Sequence, residues 1–277
     1  MPTILRQEEY KLIDKTITDV IRPVLIGTNV LQPYSVNESV LEIGWDEWKD
    51  MGSATIDMYM EEANYDNLVL KARQTISVPI IHQEFKLPWR LVQSARSGGR
   101  DLETANIAAA ASKVAEKAEE LIFKGDTSLK ITGLTGVSGL SVTGADFGTA
   151  GNAYETFRKV RDEFIGNNIQ PPYVAVLNPT QYGELDLLFS NTGIPQRERI
   201  VGNFVDKIYY STQITAGEGY VFASSKQYMD RITLGGVKRK VWKENAGDSA
   251  SNVLGRVYAI EVPRVRVANG VLKVSAI

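Results

Sequence analysis

The 277-residue sequence offers one histidine, His82, in the run PIIHQEF, with Glu84 two residues on. On a β-strand that spacing puts both groups on one face, where an imidazole and a carboxylate could share general acid–base work beside a substrate. The same spacing equally serves a structural histidine, and no nucleophile or second base is marked nearby. Glu184 and Asp186 in YGELDLLF form a second pair, but residues two apart on a helix do not face each other, so a wet helix face accounts for them better than a glycosidase pair. There is no cysteine. Disulfides, thiolate nucleophiles and cysteine-based metal sites are thereby excluded, and one histidine is too few for a histidine metal cluster. No catalytic residue, metal or cofactor is expected; an enzyme using His82 is the remote alternative.

Anion-binding chemistry has two candidates. GLTGVSGLSVTG supplies permissive backbone but no phosphate-positioning lysine, so its glycines are expected to solve a conformational problem. Arg197, Arg199, Lys207, Lys238, Arg239 and Lys240 could converge on an anion, with Trp242 of VKRKVWKE as a stacking surface. Alternation along a strand would, however, divide Arg239 from Lys238 and Lys240, which favours salt bridges over specific recognition. Sequence-independent contact with DNA fits either arrangement. Thirty-one Lys plus Arg against 33 Asp plus Glu give a net charge of -2, so no whole-chain attraction for nucleic acid exists.

The elements that would position these groups follow from periodicity. Leu5, Tyr10, Ile13, Ile17 and Ile21 share a helical stripe, predicting an amphipathic helix over 7–20 and then an extended arm through Pro33. That helix either packs on its own domain or is exchanged with a neighbour. VLEIGWDEW, ATIDMYME and NLVLKARQTISVPII read as strands of a projecting hairpin or edge sheet. Its charged residues Asp46, Glu47, Asp50, Glu61, Glu62, Lys71 and Arg73 suit either a solvated face or pairs with another molecule. Asp101 or Thr104 would cap a long helix through ANIAAAASKVAEKAEELI, ending near Phe123 before Gly125.

Residues 127–152 read as a glycine- and threonine-punctuated loop or short hairpin. A compact α/β unit follows: a helix over 154–165, the buried strand YVAVLN, and a helix through PTQYGELDLLFS begun by Pro179. KIYYST, GYVFASS, RITLGG, KRKVWK and VLGRVYAIEVPRVRVAN are strand-like. The last of these could return to residues 76–95, making the α/β unit an insertion. At 43% hydrophobic and 23% charged, the composition is that of a folded protein. No apolar run approaches the roughly 20 residues of a membrane span. The charged opening MPTILRQEEYKLIDK leads us to expect no secretory segment.

The order of features in IHQEFKLPWRLVQSARSGGRDLETANIAAAASKVAEKAEELIFKGD resembles the major capsid proteins of tailed viruses and their relatives, the encapsulin shell proteins. A strand ending in Phe85, the LPWRLVQSAR segment, an alanine-rich spine helix and the closing IFKGD carry the likeness, with KITGLTG following where these families enter the next domain. The resemblance implies an α+β tailed-phage major capsid-like fold: an N-terminal arm and helix (1–34), an extended hairpin loop with adjoining strands (35–80), a peripheral domain with the long spine helix (81–130), an α/β axial domain (131–230), and a return to the peripheral domain (231–277).

Its implied activity is architectural, with many copies of the chain closing an icosahedral shell. The reading placed first is a viral major capsid in a virion, contacting packaged double-stranded DNA non-specifically. The alternative is a cytoplasmic encapsulin nanocompartment enclosing a cargo protein. The N-terminal segment lacks the familiar encapsulin opening, a proline-containing stretch before a tryptophan-bearing helix, which tilts the expectation toward the virus. No membrane partner is implied.

Overall fold

The computed structural model describes residues 5–21, 24–48, 56, 58–59, 69–98, 104–189, 193–245 and 250–277. Helix α1 (Gln7–Ile21) forms where the apolar stripe predicts it, with Glu8 and Glu9 in its first turn, where the helix dipole favours anions. Ile13 and Ile17 are buried against Phe85, Val92, Ile107 and Val257 of the same chain. Arg96 donates to Glu9 at 2.8 Å and Arg239 to Asp14 at 2.6 Å, fixing the helix from two sides. The Arg96 fork holds the Glu9 carboxyl below its usual range. The arm that follows is not extended throughout: a single turn, α2 (Gly27–Val30), interrupts it before β1 (Pro33–Ser35).

Strands β2 (Glu42–Trp48) and β3 (Leu70–Ser77) form an antiparallel hairpin. Within it, Lys71 pairs with Glu47 at 2.6 Å and Arg73 with Asp46 at 3.6 Å, so these four edge charges find partners inside the chain. Asp50, Glu61 and Glu62, and most of ATIDMYME, lie outside the described residues. β4 (Ile81–Leu87) leads into α3 (Trp89–Gly98) and then the long helix α4 (Ala105–Phe123). Thr104 occupies the N-cap of α4 but its side chain makes no capping bond; its hydroxyl instead lies 3.4 Å from Thr16 on α1. Asp101, the other expected cap, lies outside the described residues. Ala110, Ala111, Ala115 and Ala118 are buried, so the small-residue face does admit close neighbours.

After the short pair β5 (Gly125–Asp126) and β6 (Ile131–Thr132), the glycine-rich stretch forms a 3-10 turn at Leu134–Gly136 and then β7 (Leu140–Thr143). Helix α5 (Asn152–Gly166), strand β8 (Tyr173–Leu177) and helix α6 (Pro179–Glu184) match the sequence in kind. Asn178 caps α6 by accepting from the Thr180 amide at 3.0 Å. α6 stops well short of the expected Ser190. The main-chain groups beyond it bond to a returning segment instead, with Phe189 N–H donating to the Ile194 carbonyl and Gln196 N–H to that of Leu187. Helix α7 (Gln196–Ile200) closes that turn.

The remaining strands are β9 (Lys207–Tyr210), β10 (Glu218–Ala223), β11 (Met229–Thr233), β12 (Lys238–Lys243), β13 (Val253–Ala259), β14 (Glu261–Val265) and β15 (Val271–Ser275). β13 pairs antiparallel with β4, the non-local return foreseen from the sequence. β12 flanks it, giving the order β12-β13-β4. β11 sits between β1 and β14. β15, by contrast, enters a five-stranded mixed sheet of order β7-β15-β10-β8-β9. One core fills that sheet and α5; a second lies between α1, α4 and the β12-β13-β4 sheet.

Candidate functional site

The groups singled out for chemistry do not converge. His82 is exposed on the open face of the β12-β13-β4 sheet, opposite Tyr258 in register. Its neighbour Glu84 is engaged by Arg256 at 2.5 Å, which holds the carboxyl below its usual range. The Tyr258 hydroxyl donates to Glu38 at 2.8 Å. Glu184 ends α6 with its carboxyl pushed up by burial, whereas exposed Asp186 pairs with Arg197 at 3.2 Å. Among the described residues, no group of three or more His, Asp or Glu side chains is placed to hold a metal ion.

The basic residues also divide. Arg239 faces α1, its guanidinium on Asp14 and 4.5 Å above the Tyr10 ring, while Lys238 and Lys240 are exposed. Arg197 bonds the Tyr182 hydroxyl at 3.1 Å, and Arg199 stacks 4.5 Å over Phe189, both far along the chain from the lysine run. In the glycine run, a β-carbon on Gly139 would lie 2.2 Å from the Val271 carbonyl oxygen, so that glycine lets two main-chain segments touch.

What the structure does build is a groove of about 560 Å³ beneath α1. Ile17 and Ile21 of α1, Leu25, Pro33 of β1 and Val237 give it apolar flanks, with Thr18 and Thr28 at the helix side. Its floor is polar. Arg231 of β11 and Glu261 of β14 form a buried ion pair, and the Thr233 hydroxyl donates to Glu261 at 3.0 Å. Burial pushes the Glu261 carboxyl up, against the pull of Arg231 and Thr233. The Arg231 amide also donates to the Gln32 carbonyl at 2.8 Å, tying the floor to the arm beside β1. Sequence reasoning missed this groove, because its walls come from 17–35, 231–237 and 261, whose proximity depends on strand pairing.

A protein-family description, Linocin_M18, "Encapsulating protein for peroxidase", matches residues 4–236. The chain belongs to that family. It is 28% identical over 228 residues to the type 1 encapsulin shell protein EncA of Myxococcus xanthus, covering 82% of this chain and 79% of that one. The fold matches the virus-like particle from Pyrococcus furiosus with a TM-score of 0.70 at 13% identity, over 97% of this chain and all of the other. It matches the capsid of Myoviridae phage XM1 with a TM-score of 0.69 at 13% identity, over 92% of both chains.

The encapsulating-protein family and the phage capsids thus share one α+β shell fold, as the spine-helix segment implied. This Linocin_M18 chain is a structural shell protein that assembles with copies of itself. The family match favours the encapsulin alternative over the viral capsid placed first. The lack of a tryptophan-bearing opening helix does not separate the chain from the encapsulating proteins.

Proposed function

We propose that the chain is the shell subunit of a cytoplasmic encapsulin nanocompartment, and that the groove beneath α1 holds an extended terminal segment of a cargo protein. The groove itself carries the reading. Apolar flanks around a polar floor suit a peptide that alternates apolar side chains with main-chain hydrogen-bonding groups. Burial there contributes about 25 cal/mol per Å² of apolar surface before ordering costs. The family description, which names a peroxidase, supports protein, rather than DNA, as the contents, and the name of the Myxococcus relative supports the encapsulin shell.

Assembly contacts fit the exposed apolar side chains around the hairpin, Leu41, Ile56, Met58 and Val69, which the single chain leaves uncovered. Copies of the same chain are the occupants this reading assigns to them. In the same frame, residues 131–230 form the axial unit, with β15 joining its sheet, and the arm, hairpin and β12-β13-β4 sheet make up the periphery.

The test is the content of particles from the native source. A protein cargo, lost on removing one of its termini, supports the reading; double-stranded DNA filling the particles overturns it. Thr18→Trp, at an exposed α1 position on the groove wall, is expected to reduce loading several-fold with particle size unchanged.

A further inference from the structure

Glu119 is a carboxyl buried in the last turns of α4, and among the described residues no cation pairs with it. Its two oxygens reach two distant parts of the chain. The Gly27 amide, at the start of α2, donates to Oε2 at 3.0 Å, and the Ser211 hydroxyl, just after β9, donates to Oε1 at 3.3 Å. Gly27 is pressed so closely against α4 that an added β-carbon would lie 2.7 Å from Ile122 and 3.3 Å from Glu119 itself. One side chain therefore joins the arm, the long helix and the loop leaving the five-stranded sheet.

Among the described residues the surroundings supply hydrogen bonds but no compensating charge. α2 contributes Gly27, Thr28, Asn29 and Val30, none of them titratable, and the loop contributes Ser211, Thr212 and Gln213. On α4, Lys113 and Lys117 are taken by Glu116 and Glu120 on the exposed side. On β9 the ionisable groups are Lys207, Tyr209 and Tyr210. Burial pushes the Glu119 carboxyl from its ordinary 4.5 up to about 7, against the smaller opposing pull of the Gly27 amide, the Ser211 hydroxyl and the Ile26 amide.

We propose that Glu119 is a proton-operated latch: protonated, it fastens the Gly27 turn and the Ser211 loop to α4, and ionised, it loosens that three-way junction. The sign follows from linkage. A carboxyl that is harder to ionise when the junction is closed than when it is open to water stabilises the closed form fully below its ordinary value of 4.5. That contribution falls as pH rises toward about 7 and is gone above it. Leu25 and Thr28, which flank Gly27, also line the groove, so loosening the latch slackens one groove wall. That consequence rests on the cargo reading; the latch does not.

Hydrogen exchange on assembled, cargo-free particles of the full chain tests the latch alone. After correction for intrinsic exchange, peptides covering 24–31 and 207–215 should lose protection by on the order of tenfold between pH 5.5 and 7.5, then level off. Glu119→Gln, which keeps the shape and an oxygen for the Gly27 amide while its NH2 donates to a reoriented Ser211 hydroxyl, carries no charge and should flatten that dependence. Ser211→Ala, which removes a donor favouring the carboxylate, should move the loss to higher pH. A wild-type profile that is flat across this range overturns the latch even if Glu119→Gln does not assemble, and so does the same slope in wild type and Glu119→Gln.

Discussion

Gly139 shows how much one missing β-carbon can decide. Its close approach to the Val271 carbonyl lets β7 run parallel to β15, so Gly139→Ala must displace main chain rather than a side-chain tip. We expect a loss of about 1–3 kcal/mol, read as a lower denaturation midpoint with unchanged slope. A loss below ~0.5 kcal/mol would show that the loop yields freely. The sequence did reveal that the glycines around 133–144 serve conformation, because the phosphate-loop lysine is missing. Which glycine meets which strand was hidden, since its partner lies far along the chain. The division of the basic run was legible for a simpler reason: strand alternation alone sends Arg239 to α1 and leaves Lys238 and Lys240 exposed.

Between elements, β11 and β14 are joined by charge inside the protein. Asp230 receives Arg264 at 2.5 Å and Arg266 at 2.8 Å, and Arg264 also lies 4.6 Å under the ring of Tyr34 on β1. Trp45 of the hairpin stands 5.9 Å from the same guanidinium, so arm, hairpin and return strands meet at one cation. Asp230→Ala leaves Arg264 buried without its carboxylate and should cost about 3–5 kcal/mol. Replacing the pair together, Asp230→Leu with Arg264→Met, should cost much less, and urea melts of the two variants compare them directly. Lys71→Ala at the exposed hairpin pair should leave the denaturation midpoint nearly unchanged. RITLGG and EVPRV were readable as strands from β-branched content. That their charges face one another required the register, which periodicity does not supply. The early stop of α6 was invisible for a related reason, because its main-chain groups are claimed by a segment that returns through a turn.

For the whole molecule, the long helix, the hairpin and the return of β13 to β4 were legible because the spine segment combines strong helix propensity with a recognisable order of features. The groove was not, being assembled from α1, the α2 turn, β1, β11 with the turn after it, and β14. Ile56→Asp or Met58→Asp, both at exposed positions, should leave the subunit's circular dichroism intact while reducing the yield of closed particles in electron micrographs. Undiminished particle yield would show that neighbours do not cover this surface. The place of β15 has a further consequence, for synthesis. β7 waits for a partner made roughly 130 residues later, on the order of ten seconds at ~5–20 residues per second, and until then it cannot join β10. A subunit emerging from the ribosome should therefore hold its five-stranded sheet open until residues 271–275 have been translated, and nascent chains stalled before residue 271 should remain protease-sensitive across 140–223.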